Sequence, residues 1–378
     1  MKRHIVFWLG KSHSTWNHRK ALEEGCGGSE LAAIHLSQNL AALGFQVTMY
    51  ADIEETDPQG LNPWWCRYDD FELSSRVWDC DLLISSRCPS FVGARKRALH
   101  GKPSWLWMHD LHVGADWEHH LSLNFDKVVC LSKFASHRLC AYYPKVDERK
   151  VLVIPNGIDL GRFPVNAEQP FAAQHVRWRA REEPLRMIWS SCPDRGLDVV
   201  IGLQPALRAE FPNARLEVYG DLSAWLSKVE DIGSEDQISF ARKLMRKIGE
   251  LDSHHLGAEF CGKVGQQKLA RAFSRSHVWF YPTSFEETSC ITAMEAQAAG
   301  TKIVCTSTGA LPETAPNAVF VSAPSATRTW QMVAVAVIRA TMVVNDDEAL
   351  LKSRADLTTW GEVASSWRDA ILEELARR

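Results

Sequence analysis

Along most of this chain, short continuous apolar runs alternate with longer stretches of helical periodicity. HIVFWLG, QVTMYA, DLLISS, SWLWMH, KVVCLS and KVLVIP are apolar throughout rather than at every second residue, so a strand made from any of them needs cover on both faces. Between them, segments such as SELAAIHLSQNLAALG place Leu31, Ile34, Leu36, Leu40 and Leu43 in a helical pattern and stop at Gly44. This alternation predicts βαβ units around a parallel sheet, an α/β protein.

The rhythm restarts after Pro184. LRMIWSS, RLEVYGD, EFCGKV, VWFYPTS and KIVCTS read as a second set of strands; GLDVVIGLQPALRAEF, KLARAFSRS and TWQMVAVAVIRATMV read as helices. A length of 378 residues exceeds what one hydrophobic core usually holds. The expectation is two domains facing each other across a cleft, spanning 1–165 and 185–357, with a polar, proline-bearing connector at 166–184. Two segments break the pattern. Lys11 to Cys26 is too long for an ordinary βα loop and reads as mobile or functional. A charged helical insert that includes ARKLMRKIGEL occupies 222–256.

Composition removes several functions. A formal charge of −3 provides no global field for nucleic acid or anionic lipid, and the basic stretch ARKRALHGK, with Arg95, Lys96, Arg97 and Lys102, reads as a solvated helix face. No nucleic-acid partner is expected, and membrane contact is at most peripheral. The N-terminal apolar core of five residues is too short for a signal peptide, and Arg339 interrupts the longest later apolar tract. None of the ten cysteines forms a C-x-x-C, which argues against a zinc ribbon, and several sit in apolar runs as reduced thiols would in a cytoplasm.

Three motifs fail on inspection. Gly10-Lys11-Ser12 resembles the end of a Walker A loop, but Ile5 stands where its first glycine belongs. Gly25-Cys26-Gly27-Gly28-Ser29-Glu30 resembles a dinucleotide fingerprint with Asp52 as its ribose acid, yet Glu30 would oppose a pyrophosphate. Asp79-Cys80-Asp81 has the D-x-D form of a metal-binding pair but directly precedes a strand, where acids commonly mark a turn.

One constellation survives. In SFEETSCITAMEAQAAG a strand ends near Thr283, a turn carries Glu286 and Glu287, and a helix is expected from about Ser289 to Gly300. The amides of Thr288, Ser289, Cys290 and Ile291 would face the carboxyl end of the sheet, a place that suits a diphosphate. Glu295 would lie about 9 Å further along the helix axis, and its carboxylate can accept both ribose hydroxyls. Helix capping competes, because Ser284-x-x-Glu287 and Thr292-x-x-Glu295 both have capping-box form. One helix needs one N-cap, so capping leaves one acid unexplained. Gly27 and Gly28 would likewise let a ligand approach the backbone at a helix start.

Glu287-x7-Glu295 followed by AQAAGTKIVCTSTGALPET resembles the E-x7-E segment of retaining GT-B glycosyltransferases of family 4, the glycosyl transferases group 1. GGSELAAIHLSQNLAALGFQVTMY resembles the family's glycine loop, helix and second strand; WLWMHD, VVCLSKF, VLVIPNGIDLGRF, DRGLDVV and GKVGQQKLARAFSRSHVWFYPTS follow in the family's order. The resemblance implies two Rossmann-like domains across a deep cleft, the N-terminal one for the acceptor and the C-terminal one for the nucleotide sugar, with a helix at 358–376 crossing back to the first. It further implies that Glu295 binds ribose, Glu287 the donor sugar, Thr288 to Ile291 the diphosphate and Val264 the base, with His109 facing the reacting sugar. Two departures stand out. Ser191 occupies the place of a common arginine, with Arg195 near the usual lysine, so Lys263 or a residue of the 11–26 loop is a candidate second cation; and Thr288-Ser289-Cys290 replaces Gly-Phe-Gly.

The implied activity is retaining transfer of a sugar from a nucleoside diphosphate to an acceptor hydroxyl, without metal or other cofactor. Arg195, the Gly27-Gly28 loop and the helix start would stabilise the leaving group. The rival readings are a GT-B epimerase or pyridoxal-dependent phosphorylase, and a non-catalytic sugar-nucleotide or glycan-binding protein. The acceptor, whether glycan, lipid-linked sugar or small molecule, is open; Trp16, Trp64, Trp65, Trp105, Trp107 and Trp117 either line it or fill the core.

Overall fold

The computed structural model describes residues 2–73, 79–95, 99–111, 121, 124–164, 183–253, 257–344 and 347–377. The connector at 166–182, Lys96, Arg97 and Trp117 lie outside them. The chain forms two units, one of residues 1–22, 26–157 and 358–378, the other of 23–25 and 158–357.

The first unit holds a parallel sheet of seven strands in the order β3-β2-β1-β4-β5-β6-β7. They are β1 (His4–Gly10), β2 (Gln46–Ala51), β3 (Trp64–Arg67), β4 (Leu82–Ser86), β5 (Ser104–Trp107), β6 (Lys127–Cys130) and β7 (Val151–Val153). Six match expected runs; β3 does not. The unbroken apolar runs have the predicted cause. Ile5, Phe7, Trp105 and Trp107 enter a core on one face, while Val6, Leu83 and Leu106 enter another on the opposite face. Helix α1 (Gly28–Ala42) covers the first face and α2 (Lys133–Tyr142) the second.

The C-terminal helix, Trp360–Ala376, also packs on the first face. Its Trp367 is buried among Phe7, Trp105 and Trp107, with ring centroids 5.5 to 6.2 Å away. A capping box starts it: the Thr359 amide donates to Glu362 Oε2 at 2.7 Å, and the Glu362 amide donates back to Thr359 Oγ1 at 3.4 Å.

The Lys11–Cys26 loop is pinned rather than loose. Asp52 accepts the Ser12 amide at 3.1 Å and the Thr15 hydroxyl at 3.0 Å, and Asp57 is shared by His18 and Arg19. Asp52 is therefore a tether for this loop. Asp81 accepts the His4 amide at 2.7 Å and Arg3 at 2.9 Å, so the D-x-D pair braces the start of β1.

The second unit holds six parallel strands in the order β10-β9-β8-β11-β12-β13. They are β8 (Arg186–Ser190), β9 (Arg215–Tyr219), β10 (Ala258–Gly262), β11 (Val278–Tyr281), β12 (Lys302–Thr306) and β13 (Val319–Val321). Its longer helices are α3 (Leu197–Glu210), α4 (Leu222–Ile232), α5 (Glu235–Ser253), α6 (Gln266–Arg275), α7 (Ile291–Ala299), α8 (Arg328–Val343) and α9 (Asp347–Ala355). The charged insert is the pair α4 and α5, with Trp225 set edge-on to Phe240. Strand order reverses between β8 and β11, the switch point at which open α/β sheets bind ligands beyond their carboxyl ends. No described helix is long and apolar enough to cross a membrane.

Candidate functional site

Two loops leave the sheet at that switch point. After β8, Ser191 and Cys192 lead into a 3-10 turn, Pro193–Arg195, and then into Gly196 in a left-handed conformation (φ 105°). A Cβ at Gly196 would stand 2.5 Å from the Pro282 carbonyl, so glycine lets this loop touch the one that follows β11. In that second loop the Thr283 carbonyl accepts from the hydroxyls of Thr306 at 2.6 Å and Thr308 at 3.1 Å. Gly309 (φ 65°) presses against the backbone of Glu287, whose carbonyl accepts the Ala310 amide at 2.8 Å. Glu287 is thus clamped through its main chain.

Its side chain is held as firmly. The Tyr281 hydroxyl donates to Glu287 Oε1 at 2.6 Å, and Ser191 Oγ lies 3.0 Å from the same hydroxyl. Burial pushes the Glu287 carboxyl above the ordinary glutamate range, while the Tyr281 bond and Arg195 oppose that rise. The Arg195 guanidinium sits 3.0 Å above the Phe285 ring centroid, with Nε 3.6 Å from Asp194 Oδ1. Its Nη1 is buried and makes no hydrogen bond among the described residues.

Helix α7 starts at Ile291 with Cys290 as N-cap and no side-chain capping bond, so neither competing capping box starts it. The Ala293 amide donates to the Cys290 carbonyl at 3.1 Å, while the amides of Ile291 and Thr292 have no intrahelical acceptor. Beside them Ser289 Oγ is buried without a hydrogen bond among the described residues. The helix ends at Gly300, left-handed at φ 70°.

Glu295 points inward, 3% exposed, and its Oε1 accepts from Arg162 Nη1 at 3.3 Å. Burial raises the carboxyl, and Arg162 counters. Arg162 also donates to Gln266 Oε1 and lies 3.8 Å from Asp159. Sequence reasoning missed Arg162, Gln266 and Tyr281. A lone cation in the turn-forming tract PNGIDLGRF was the available signal for Arg162; a glutamine opening a helix and a tyrosine within an apolar strand gave none.

The structure therefore brings Arg195, Glu287, Thr288, Ser289, Cys290, Ile291 and Glu295 to one end of the second unit. Lys263, exposed, and Val264, half-buried, follow β10 at the same end of the sheet. The remaining expected residues belong to the first unit. Gly27 caps α1 without a side-chain bond, and a Cβ there would meet Glu30 Oε2 at 2.4 Å. The Glu30 carboxylate thus folds over the Gly27–Gly28 turn. His109 follows β5 with its ring 4.3 Å from Trp107; burial, reinforced by Arg87, pushes its pKa down to about 3, so it is a neutral imidazole. Its neighbour Asp110 is gripped at both oxygens by Arg87, at 2.7 and 3.0 Å. Among the described residues, no group of three or more His, Cys, Asp or Glu side chains could hold a metal ion.

Two Rossmann-like α/β units, the second with a Glu-x7-Glu pair around an uncapped helix start, have the make-up of a GT-B glycosyltransferase. Residues 26–162 match the family described as Glycosyltransferase Family 4, and residues 186–339 match Glycosyl transferases group 1; the chain belongs to this family. It is 28% identical over 195 residues to a D-inositol 3-phosphate glycosyltransferase of Streptomyces scabiei, a match spanning 50% of this chain and 40% of the relative. Among solved structures it resembles sucrose-phosphate synthase from Thermosynechococcus elongatus (TM-score 0.67, 18% identity, 100% of each chain). It also resembles HepE from Anabaena in complex with UDP and glucose (TM-score 0.67, 13% identity, 98% of this chain and 100% of that one). At these identities the structural likeness establishes the GT-B fold.

Proposed function

We propose that the protein transfers a sugar from a nucleoside diphosphate to an acceptor hydroxyl with retention at the anomeric carbon, and that no metal is required. One observation carries this reading. At the uncapped start of α7, flanked by Glu287 and Glu295, a buried guanidinium N–H of Arg195 and a buried hydroxyl of Ser289 lack hydrogen-bond partners among the described residues. Leaving such groups unmet costs about 1–3 kcal/mol each, and a diphosphate would satisfy both together with the helix amides.

In this reading Glu287 accepts hydroxyls of the donor sugar, Glu295 those of the ribose, and Val264 with Lys263 borders the base. In the same reading His109, uncharged, hydrogen-bonds the reacting sugar, and Gly27 and Gly28 contact the donor. Arg195 and the α7 amides stabilise the departing diphosphate, which takes the acceptor proton on the same face. The UDP and glucose bound by HepE favour a nucleotide-sugar donor. The matched part of the inositol phosphate enzyme is too small to carry over its acceptor, which stays a hydroxyl compound: a glycan, a lipid-linked sugar or a small molecule. Ten cysteines without a disulfide fit a reducing cytoplasm.

Thermal-shift screening against UDP-, GDP-, ADP- and dTDP-sugars tests the proposal, because a ligand at 100 times its dissociation constant adds about 2.7 kcal/mol of stability. The matching donor should then yield a product of unchanged anomeric configuration by NMR, in EDTA as well as without it. A donor that binds but is neither transferred nor hydrolysed would make the protein a binding module. If no donor binds, the proposal fails.

A further inference from the structure

Arg162 sits in PNGIDLGRF, 133 residues from Glu295, and the fold brings the two together in the interior of the second unit, with side chains 8% and 4% exposed. Their scaffolds share an anchor. Arg354 of α9 donates to the Phe163 carbonyl at 2.8 Å, to that of Leu160 at 3.4 Å, and to that of Ala298 in α7. The turn carrying Arg162 and the helix carrying Glu295 are thereby tied at one point. Gln266, the first residue of α6, accepts from the same Nη1 that reaches Glu295 and limits how far the guanidinium can swing.

Among the described residues, Arg162 supplies all the hydrogen bonds and ion pairs of the Glu295 carboxylate, and they fall on Oε1. A carboxylate this buried needs a cation beside it to stay ionised, and a fixed Oε1 fixes where Oε2 points. We infer that Arg162 is a positioning residue for the nucleoside end of the donor: it holds Oε1 of Glu295 so that Oε2 accepts the ribose hydroxyls. The inference rests on the ribose role proposed above for Glu295. Arg162 itself acts only through that glutamate, so its loss should fall on nucleotide affinity and ribose selectivity, not on the chemical step.

The test uses the full chain and, as probes, whichever of UDP, GDP and ADP binds most tightly by calorimetry, together with its 2′-deoxy counterpart. Arg162→Met should weaken the ribonucleotide about tenfold, raise donor KM in parallel and leave kcat at saturating donor within about threefold. It should also shrink the preference for the ribonucleotide over its deoxy form, a readout that general loosening of the fold would not move. Arg162→Lys, which keeps charge and bulk, should recover much of the loss and gives a second measurement if the methionine variant folds poorly. Arg162→Met combined with Glu295→Gln should bind no more weakly than Glu295→Gln does. Wild-type affinity and ribose preference in a folded Arg162 variant, or additive losses in the double variant, would overturn the inference while leaving the proposed function standing. A wild-type protein that binds none of the three probes would overturn the inference, and one that binds no dTDP-sugar either would overturn both.

Discussion

Glu287 shows how a candidate site residue can be costly to the fold that holds it. Burial raises its carboxyl above the ordinary 4.5, so the folded protein gains stability from this group below that value and loses it as pH rises. Glu287→Gln should therefore melt at or above the wild-type temperature at pH 7, with the difference closing towards pH 4, while transfer falls at least about a hundredfold. A variant that melts lower at pH 7 and retains transfer would contradict both halves. Tyr281→Phe keeps the ring stacked on Trp279, at 4.5 Å, but deletes the 2.6 Å bond to Glu287. A hydrogen bond to a charged group contributes about 1.5–3 kcal/mol, so kcat/KM should drop about ten- to a hundredfold. Because that bond favours the ionised acid, its loss should move the acid limb of the rate profile to higher pH. The sequence showed both glutamates but not the phenol beside them, since Tyr281 reads there as one more apolar residue of β11. It also showed Ser191 as a missing cation, whereas in the fold that serine supports Tyr281.

Among elements, the start of α7 was legible to within two residues because its apolar run ends at a glycine suited to a left-handed stop. What the sequence could not decide was whether its two acids cap the helix. Ser-x-x-Glu and Thr-x-x-Glu patterns look the same at Ser284, Thr292 and Thr359, yet only Thr359 builds the box. The difference lies in where the helix begins, which tertiary packing sets. Thr359→Ala should accordingly cost about 1 kcal/mol, roughly 2–4 °C in melting temperature. Strands β3 and β13 were missed; each is an edge strand, and its register comes from the one neighbour it pairs with. Gly309→Ala tests the clamp behind Glu287. With φ at 65° and its Cβ 2.4 Å from the Glu287 amide, alanine should cost about 1–3 kcal/mol and shift the carboxylate, lowering transfer without removing any ligand-binding side chain.

For the whole molecule, the two-sheet architecture could be read from the alternation, but the parts that join distant segments could not, because pairs such as Arg162 and Glu295 have no spacing rule. The two units should also differ in their response to acid. His109, pushed down to about 3 and so neutral when folded, and His18, lowered by burial despite Asp57, lie in the first unit. The unfolded chain takes up those protons near pH 6.5, so the first unit should lose stability as pH falls below that value. Glu287 and Glu295, both raised, should stabilise the second unit over the same descent. Hydrogen exchange at pH 7 and pH 5 should show protection falling in the first sheet and holding or rising in the second; parallel changes would contradict the assignment. One further consequence follows from Trp360, Trp367 and Ile371, which complete the core around β1 and β5 from the far end of the chain. On the ribosome, the second sheet has all its strands before that helix is made, so the unit begun first is the last that can close.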